Sequence, residues 1–322
     1  MMASAVRCAL VMGALVLFGS NPAPAQTYPS HPVTISVGYS AGAGMDVAAR
    51  FFAAKLSKSS GQQFLVVNRP GAGGNLAAQE VANAKPDGYQ LLWGPTATFA
   101  ANPTLFKELP YDPRTSFTLV STVVEYGFLL VVGPQTPAAN VQELKALLAK
   151  KPKAIYGGLG STTMAIAEHF KSMAGVTAQY VNYKAMQDVV RDVAAGDLDF
   201  AMVDVPFGMQ QAKAGRLKIL GVTLPRRMSA APDIPPLNDA GVAGFEATGW
   251  MAVAAPKGTP PETIAKLRGW ITDALKEPDT QKFLRDNYYE PFVLDPSHHD
   301  QYLRDQIAKW RSLITAAGIE PL

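Results

Sequence analysis

Residues 33–56 read VTISVGYSAGAGMDVAARFFAAKL, and they place a β-branched run, a glycine-rich loop and a helical pattern in direct succession. The run at 33–37 lies between a proline and a glycine, which is typical of a buried strand. The pattern at 47–56 is typical of a helix. A strand that leads through a short loop into a helix is the first half of a βαβ unit, so this stretch predicts an α/β fold.

The same alternation continues along the chain in two series. Further strands of the first series are predicted at 64–67, 91–93 and 119–121, with a helical stretch at 76–84. Strands of the second series are predicted at 155–156, 179–181, 200–203 and 218–222. Asn140 with Glu143 forms a capping pair that opens a helix between the series. Repeated strand–helix alternation predicts right-handed crossovers and mostly parallel sheets flanked by helices.

Two longer apolar runs, at 128–132 and 250–255, follow the two series. If both runs cross between lobes, the first lobe is discontinuous and a pair of strands forms the hinge. We therefore predict a clamshell with one lobe at 26–126 plus 248–322 and the other at 127–247. A ligand in such a fold lies between the lobes, at the carboxyl ends of the strands.

The chain ends in a helical tail. Thr259, Pro260 and Glu262 predict the start of one helix, and Ser297 predicts the start of the last one. The apolar residues expected to face inward from these two helices are Ile264, Leu267, Ile271, Leu275, Leu303, Ile307, Trp310 and Leu313.

Composition excludes several classes of protein. The 322 residues are 48% apolar and 17% charged, which suggests about two domains and argues against disorder. The net charge is +3, and Lys and Arg are not clustered in the sequence. The chain therefore lacks the concentrated positive charge that is typical of nucleic-acid binding. Cys8 is the single cysteine, so one chain can build neither a disulfide nor a thiolate metal site.

The first residues predict export. Residues 1–7 carry one positive charge, residues 8–18 are apolar, and Ala23-Pro24-Ala25 suits cleavage before Gln26. The apolar run is shorter than the roughly 20 residues that span a bilayer, which disfavours the alternative of an uncleaved anchor. We expect residues 1–25 to be a signal peptide and the mature chain to work in the periplasm.

Four loops rich in Gly, Ser and Thr lie between predicted strands and helices, at 39–46, 71–75, 94–98 and 157–163. Each loop would present helix-start N–H groups to one crevice, which is the chemistry of carboxylate binding. The alternative is that the loops are only tight turns. No paired carboxylates, H-E-x-x-H or Walker loop occur, so we expect no catalytic residues, no cofactor and no metal.

The residues GYSAG at 38–42 match the G-x-S-x-G nucleophile elbow, which gives an alternative function, an exported serine hydrolase using Ser40. In α/β-hydrolases, however, earlier strands precede the elbow, whereas this strand is the first of the mature chain. The later histidines His169, His298 and His299 lie in no recognisable triad context. A binding loop is the favoured interpretation.

Two other motifs have structural interpretations. The glycines at 71–74 suggest a dinucleotide turn, but Leu76 occupies the position of the last glycine. His298 and His299 suggest a metal pair, but adjacent residues on a helix point in different directions. We interpret the pair as a solvated helix cap.

The chain resembles a known family. The residues that carry the resemblance are NRPGAGGN at 68–75, PDGY at 86–89, Asn102-Pro103, LPYDP at 109–113, Tyr183-Lys184, PDIP at 232–235, Trp250 with Ala255-Pro256, and AGI at 317–319. They resemble the tripartite tricarboxylate transporter substrate-binding family of the TctC/Bug type. The resemblance implies a two-lobed type II periplasmic binding protein that captures a small organic carboxylate and delivers it to the subunits of a membrane permease. A sensor protein is the alternative partner.

The sequence departs from the family pattern near the expected pocket. Met45 stands where the family has threonine, and Met164 where histidine is common. The family's Tyr-Lys-Gly-Gly becomes Tyr183-Lys184-Ala185-Met186, and its Asp-Asn pair becomes Val203-Asp204. These three methionines suggest a larger or more apolar acid than a compact dicarboxylate.

We expect backbone amides and hydroxyls to hold the carboxylate without an obligatory Arg or Lys, and Asp46 to cap the helix that follows it. We expect a monomer that binds no nucleic acid. The predicted ligand-binding residues are Tyr39, Ser40, Ala43, Gly44, Met45, Asp46, Gly94, Thr96, Thr98, Ser161, Thr162, Thr163, Tyr183 and Asp204.

Overall fold

A computed structural model describes residues 28–322, except for the side chains of residues 160 and 161. The predicted signal peptide at 1–25 lies outside the described residues. The strands are β1 (Val33–Val37), β2 (Phe64–Asn68), β3 (Gln90–Pro95), β4 (Phe117–Tyr126), β5 (Phe128–Val132), β6 (Ile155–Gly158), β7 (Gln179–Asn182), β8 (Phe200–Asp204), β9 (Lys218–Val222), β10 (Gly249–Pro256) and β11 (Glu290–Pro291).

The helices flank these strands. They are α1 (Gly44–Ser60), α2 (Asn75–Ala82), α3 (Asn102–Leu105), α4 (Val141–Ala149), α5 (Gly160–Ala174), α6 (Met186–Ala195), α7 (Val205–Lys213), α8 (Pro261–Lys276), α9 (Pro278–Asp286) and α10 (His299–Ala316). Two 3₁₀ turns (Ala72–Gly74 and Pro296–His298) and a π-helical turn (Ala97–Ala101) complete the set. Within 28–322, no helix has the length and apolar character needed to cross a membrane.

The strands form two sheets, which confirms the predicted two-lobed α/β fold. One sheet has the order β11-β4-β10-β3-β1-β2, and the other has the order β7-β6-β8-β5-β9. The parallel pairs are β1 with β2 and β3, and β6 with β7 and β8. Helices connect the consecutive strands of each parallel set, with α1 and α2 between β1, β2 and β3, and α5 and α6 between β6, β7 and β8, as the strand–helix alternation predicts.

Both sheets are mixed rather than mostly parallel in their pairing, which corrects the sequence-based expectation. β10 runs antiparallel to β3 and β4, and β5 runs antiparallel to β8 and β9. The short β11 is also antiparallel to its neighbour β4. β5 is entered directly from the other sheet, without the helical crossover that makes strands parallel, and β10 likewise follows a helix-free segment from β9.

The two sheets are connected where β4 leads into β5. Gly127 is the single residue between Tyr126 and Phe128, and Gly249 at the start of β10 pairs with Tyr126. The N–H of Phe128 donates to the hydroxyl of Thr223 at 2.8 Å, and the N–H of Thr223 donates to the carbonyl of Phe128 at 2.9 Å. The exact lobe boundaries drawn from the sequence remain a prediction.

Helix starts follow the predicted chemistry at some positions. Asn140 accepts a hydrogen bond from the N–H of Glu143 at 2.9 Å, which confirms the capping pair. α8 begins at Pro261 and buries the predicted apolar face. Ser297 does not cap the last helix, because Pro296–His298 forms a 3₁₀ turn whose first N–H groups are bound by Asp295.

The paired histidines differ from the expected solvated cap. His298 is exposed, but His299 is buried, with Nδ1 3.2 Å from the carbonyl oxygen of Leu119 on β4. The expectation was wrong for His299, because this first residue of α10 packs against β4 and is shielded from solvent. Among the described residues, no group of three or more His, Cys, Asp or Glu is placed to hold a metal ion.

α10 packs across both lobes. Its inward residues belong to a large apolar cluster that also contains residues of β3, β10, α2, β5 and α5. Trp250 on β10 stacks on Phe99 with ring centroids 5.5 Å apart and meets Tyr302 of α10 edge-on. Separate apolar clusters lie between α1 and α8 in one lobe and around α6 in the other. The crevice between the sheets therefore has a packed scaffold on each side.

Candidate functional site

A crevice with two compartments lies between the two sheets. The large compartment has a volume of about 720 Å³ and the small one about 260 Å³. The two compartments share four wall residues, which are Met45, Tyr126, Met186 and Asp204. These residues come from α1, the end of β4, α6 and the end of β8, so both sheets contribute to the shared wall.

Helix N-termini from both sheets point to this crevice. The starts of α1, α6 and α7 line the large compartment, and the starts of α5 and of the π-helical turn line the small one. The N-cap positions of α1, α5 and α6 are Ala43, Leu159 and Ala185, and none of these residues provides a side-chain cap. Uncapped N–H groups and the helix dipole give this region a positive potential.

On the described walls of the crevice, Asp204 is the sole charged side chain, and no Lys, Arg or His is present. Asp204 is the N-cap of α7, where its Oδ1 accepts a hydrogen bond from the N–H of Phe207 at 3.0 Å. Burial raises the pKa of the Asp204 carboxyl, although the hydrogen bond from Phe207 opposes this shift. Positive potential in the crevice therefore comes from backbone dipoles rather than from basic side chains.

Three tyrosines bring hydroxyl groups to the walls. Tyr39, Tyr126 and Tyr289 line the compartments, and their hydroxyls have no hydrogen-bond partner among the described residues. The rings of Tyr126 and Tyr289 meet edge-on, with centroids 6.3 Å apart. Burial raises the pKa of Tyr39 to about 12. Burial, and then the charge of Asp204, raise the pKa of Tyr289 to about 12, so these hydroxyls remain protonated donors at neutral pH.

The β1–α1 loop is held by Asp46. Its Oδ2 accepts hydrogen bonds from the N–H of Gly42 at 2.8 Å and from Nε of Arg50 at 3.0 Å, and its Oδ1 accepts one from Asn68 at 2.8 Å. Burial alone would raise the pKa of Asp46, but these hydrogen bonds lower it. The expectation that Asp46 caps the helix was wrong, because the carboxylate reaches back to Gly42 before the N-cap Ala43.

Two of the predicted threonine hydroxyls stabilise the walls themselves. The hydroxyl of Thr96 accepts a hydrogen bond from the N–H of Trp250 at 2.6 Å and contacts the Trp250 carbonyl at 3.2 Å. The hydroxyl of Thr163 donates to the carbonyl of Leu159 at 3.0 Å within α5. These two threonines position the strand and helix ends that form the small compartment.

The structure brings together one part of the predicted set. The predicted residues on the walls are Tyr39, Ala43, Gly44, Met45, Thr96, Thr162, Thr163 and Asp204. The predicted residues that lie off the described walls are Ser40, Asp46, Gly94, Thr98 and Tyr183. The side chain of Ser161 lies outside the described residues. The hydroxyl of Tyr183, for example, donates to Asp192 at 2.6 Å.

Several wall residues were missed from the sequence. They are Val47, Tyr126, Phe128, Gln187, Phe207, Gln210, Met251, Asn287, Tyr289 and Trp310. Tyr126 and Phe128 flank the predicted crossing between lobes. Because the ligand is expected between the lobes, this position is a sequence signal that could have identified both residues. Tyr289 follows α9 far along the chain, and no local pattern signals its place. Met45 and Met186 do line the crevice, whereas Met164 is absent from its described walls.

The triad that a hydrolase needs is absent from the described residues. Ser40 is exposed, and none of the histidines hydrogen-bonds to it. His31 stacks on Tyr89 with ring centroids 3.6 Å apart, and His169 stacks on Phe245 at 5.0 Å. The G-x-S-x-G match therefore has no base beside its serine.

Comparison with known proteins identifies the family. The sequence profile of TctC, the tripartite tricarboxylate transporter family receptor, matches residues 48–319. The chain belongs to this family. A UPF0065 protein of Bordetella bronchiseptica is 32% identical over 98% of this chain and 94% of its own length. TctC-family proteins are solute-binding receptors, not enzymes.

Two solved structures share the fold of this chain. Protein Rpa4515 of R. palustris, solved with adipate, is 33% identical, with a TM-score of 0.80 over 92% of this chain and 100% of that one. MatC (Rpa3494) from Rhodopseudomonas palustris, solved with bound malate, is 27% identical, with a TM-score of 0.74 over 89% of this chain and 100% of that one.

Proposed function

We propose that this protein is a periplasmic receptor that closes on a small organic carboxylate and delivers it to a tripartite tricarboxylate-type membrane permease. The observation that carries the proposal is a crevice between two sheets whose described walls combine uncapped helix N-termini and tyrosine hydroxyls without a basic side chain. Membership in a receptor family supports the transport role.

The binding chemistry follows from the donors present. Each helix N-terminus carries roughly half a positive charge and several N–H groups without intrahelical partners. Three such ends, at α1, α5 and α6, surround the crevice. They stabilise a carboxylate by hydrogen bonds and by their dipoles, so Arg50, which pairs with Asp46, is not needed for binding.

The shape of the crevice suits an acid with an apolar body. Met45, Met186 and Met251 line the large compartment together with Val47 and Phe207. Methionine side chains adapt to ligands of different outline. The ligand is therefore expected to be larger or more apolar than a compact dicarboxylate.

Closure and export complete the proposal. We expect lobes at 26–126 plus 248–322 and at 127–247 to move about the connection at Gly127, because contacts from both lobes are complete only when the crevice is shut. We expect the precursor to lose residues 1–25. Sequencing the N-terminus of the periplasmic protein should find Gln26, and retention of Met1 would contradict export by cleavage.

The test is a thermal-shift screen with organic acids, run beside an esterase assay with a generic ester. If the protein is a receptor, its melting temperature should rise in the presence of one class of carboxylate, and it should show no esterase activity. Esterase activity that disappears in Ser40→Ala, with no shift by any acid, would replace the receptor function by hydrolysis.

A further inference from the structure

Asp204 is placed in the crevice without a compensating cation. It lies on the wall shared by both compartments, and its one described hydrogen bond comes from the N–H of Phe207. No described side chain donates to its second carboxylate oxygen. Its position at the N-terminus of α7 favours the ionised form, although burial opposes ionisation and raises the pKa of the carboxyl. On its described walls, the crevice therefore presents one carboxylate without a paired cation.

Aromatic rings lie beside this charge. Tyr126 and Tyr289 line the large compartment with Asp204, and Phe207 follows three residues later on the same wall. The rings of Tyr126 and Tyr289 meet edge-on at 6.3 Å, so they form one aromatic surface in the compartment that Asp204 also lines. Aromatic faces attract cations, and they do so most strongly where water is displaced. A carboxylate beside aromatic rings is an arrangement that recognises an ammonium group.

Building on the receptor function proposed above, we propose that the ligand carries an ammonium group as well as its carboxylate, with Asp204 as the partner of the ammonium group. The carboxylate of the ligand meets the uncapped ends of α1, α5 and α6, and the ammonium group lies between Asp204, Tyr126 and Tyr289. A second carboxylate at that position would face Asp204 and be repelled. The crevice thus selects zwitterions over dianions.

Calorimetry with matched acids tests this selection. One set is 5-aminopentanoate, hexanoate and adipate, which differ only at the end distant from the first carboxylate. A second set is leucine and 4-methylpentanoate, which differ by the α-ammonium group. At least one ammonium-bearing acid should bind ten-fold or more tightly than its ammonium-free partners. Acids found by the thermal-shift screen are compared in the same way.

Asp204→Asn is the decisive variant, because asparagine also caps helices and keeps the shape of the side chain. It should remove most of the preference for the ammonium-bearing acid. Tyr289→Phe keeps the aromatic face and should retain the preference, whereas Tyr289→Leu should reduce it.

The outcomes separate the two proposals. If the acids that bind are all ammonium-free, or if Asp204→Asn leaves the ranking unchanged, the ammonium assignment is wrong and the receptor function stands. If adipate binds most tightly and Asp204→Asn weakens it, Asp204 is a protonated donor to a second carboxylate, which also overturns the assignment. If no organic acid binds at all, the receptor function itself fails, and the ammonium assignment fails with it.

Discussion

Arg50 donates a hydrogen bond from its Nε to Oδ2 of Asp46 at 3.0 Å, one helical turn along α1. Its guanidinium also donates to Asn68 at 2.9 Å. The basic residue nearest to the β1–α1 loop is therefore bound to the scaffold of that loop. On the described walls of the crevice, the groups available to hold an anion are therefore amides and hydroxyls.

Arg50→Ala should leave the affinity for a bound acid unchanged. The exposed side chain of Arg50 forms a partly solvated ion pair, so its removal should lower the free energy of unfolding by no more than about 1 kcal/mol. Calorimetry with an acid identified by the screen checks the affinity. Loss of all binding in Arg50→Ala would indicate an arginine clamp in place of the amide and hydroxyl donors.

Gly44→Val should weaken binding strongly. A Cβ atom at Gly44 would lie 3.1 Å from the hydroxyl of Tyr289, so a branched side chain displaces that hydroxyl and projects into the large compartment. Gly269→Val is the matched control, because a Cβ atom at Gly269 in α8 meets nothing within 4 Å. Equal affinities for the two variants would show that the start of α1 takes no part in binding.

Thr96→Val should destabilise the fold. The hydroxyl of Thr96 is the partner of the Trp250 N–H, and a buried donor without a partner costs about 1–3 kcal/mol. Urea denaturation measures the loss. The exposed Thr315→Val in α10 should change stability by less than about 0.5 kcal/mol. Similar values for both variants would mean that the link between Thr96 and Trp250 carries no net stability.

Asp204 should make stability depend on pH. Burial raises the pKa of its carboxyl in the folded state, so its contribution is most favourable below the unfolded pKa of about 3.9 and is lost as the pH rises through the folded pKa. Asp204→Asn should therefore raise the melting temperature of the ligand-free protein at pH 7, and the difference should shrink toward pH 3. A difference that stays constant between pH 3 and pH 7 would contradict the raised pKa.

Ligand binding should make the molecule more compact. Gly127 alone connects β4 to β5, and a Cβ atom there would lie 2.8 Å from the side chain of Val222. A ligand that contacts both walls of the crevice should draw the two sheets together about this connection. Small-angle scattering with a saturating ligand should then give a smaller radius of gyration than scattering from the ligand-free protein. An unchanged radius under saturation would indicate a crevice that is already closed or rigid.

Local pattern predicted the strands well. β1, β5 and β9 have the predicted bounds, because each is a short apolar run between residues that end strands. β11 has two residues and no pattern of its own, so only its pairing with β4 defines it. The antiparallel direction of β5 and β10 relative to their neighbours was also not predicted. It depends on how the chain passes between the lobes rather than on any local spacing of residues.

The structure places some of the predicted site residues on the walls of the crevice and leaves others off them. The glycine-rich loops before α1 and α5 border the crevice, whereas Ser40 and Thr98 lie off its described walls. Tyr289 reaches the crevice from a distant segment, which only tertiary packing reveals. The same limit applies to His299, whose burial against β4 no neighbouring residue predicts.

Native mass spectrometry of the protein purified from the periplasm, without refolding, tests the central claim most directly. We expect a bound small organic acid in the wild-type protein, and we expect Gly44→Val purified in the same way to lack it. Wild-type protein that carries no acid and takes up none from the screened set, or an acid retained equally by Gly44→Val, would contradict binding in the crevice between the lobes.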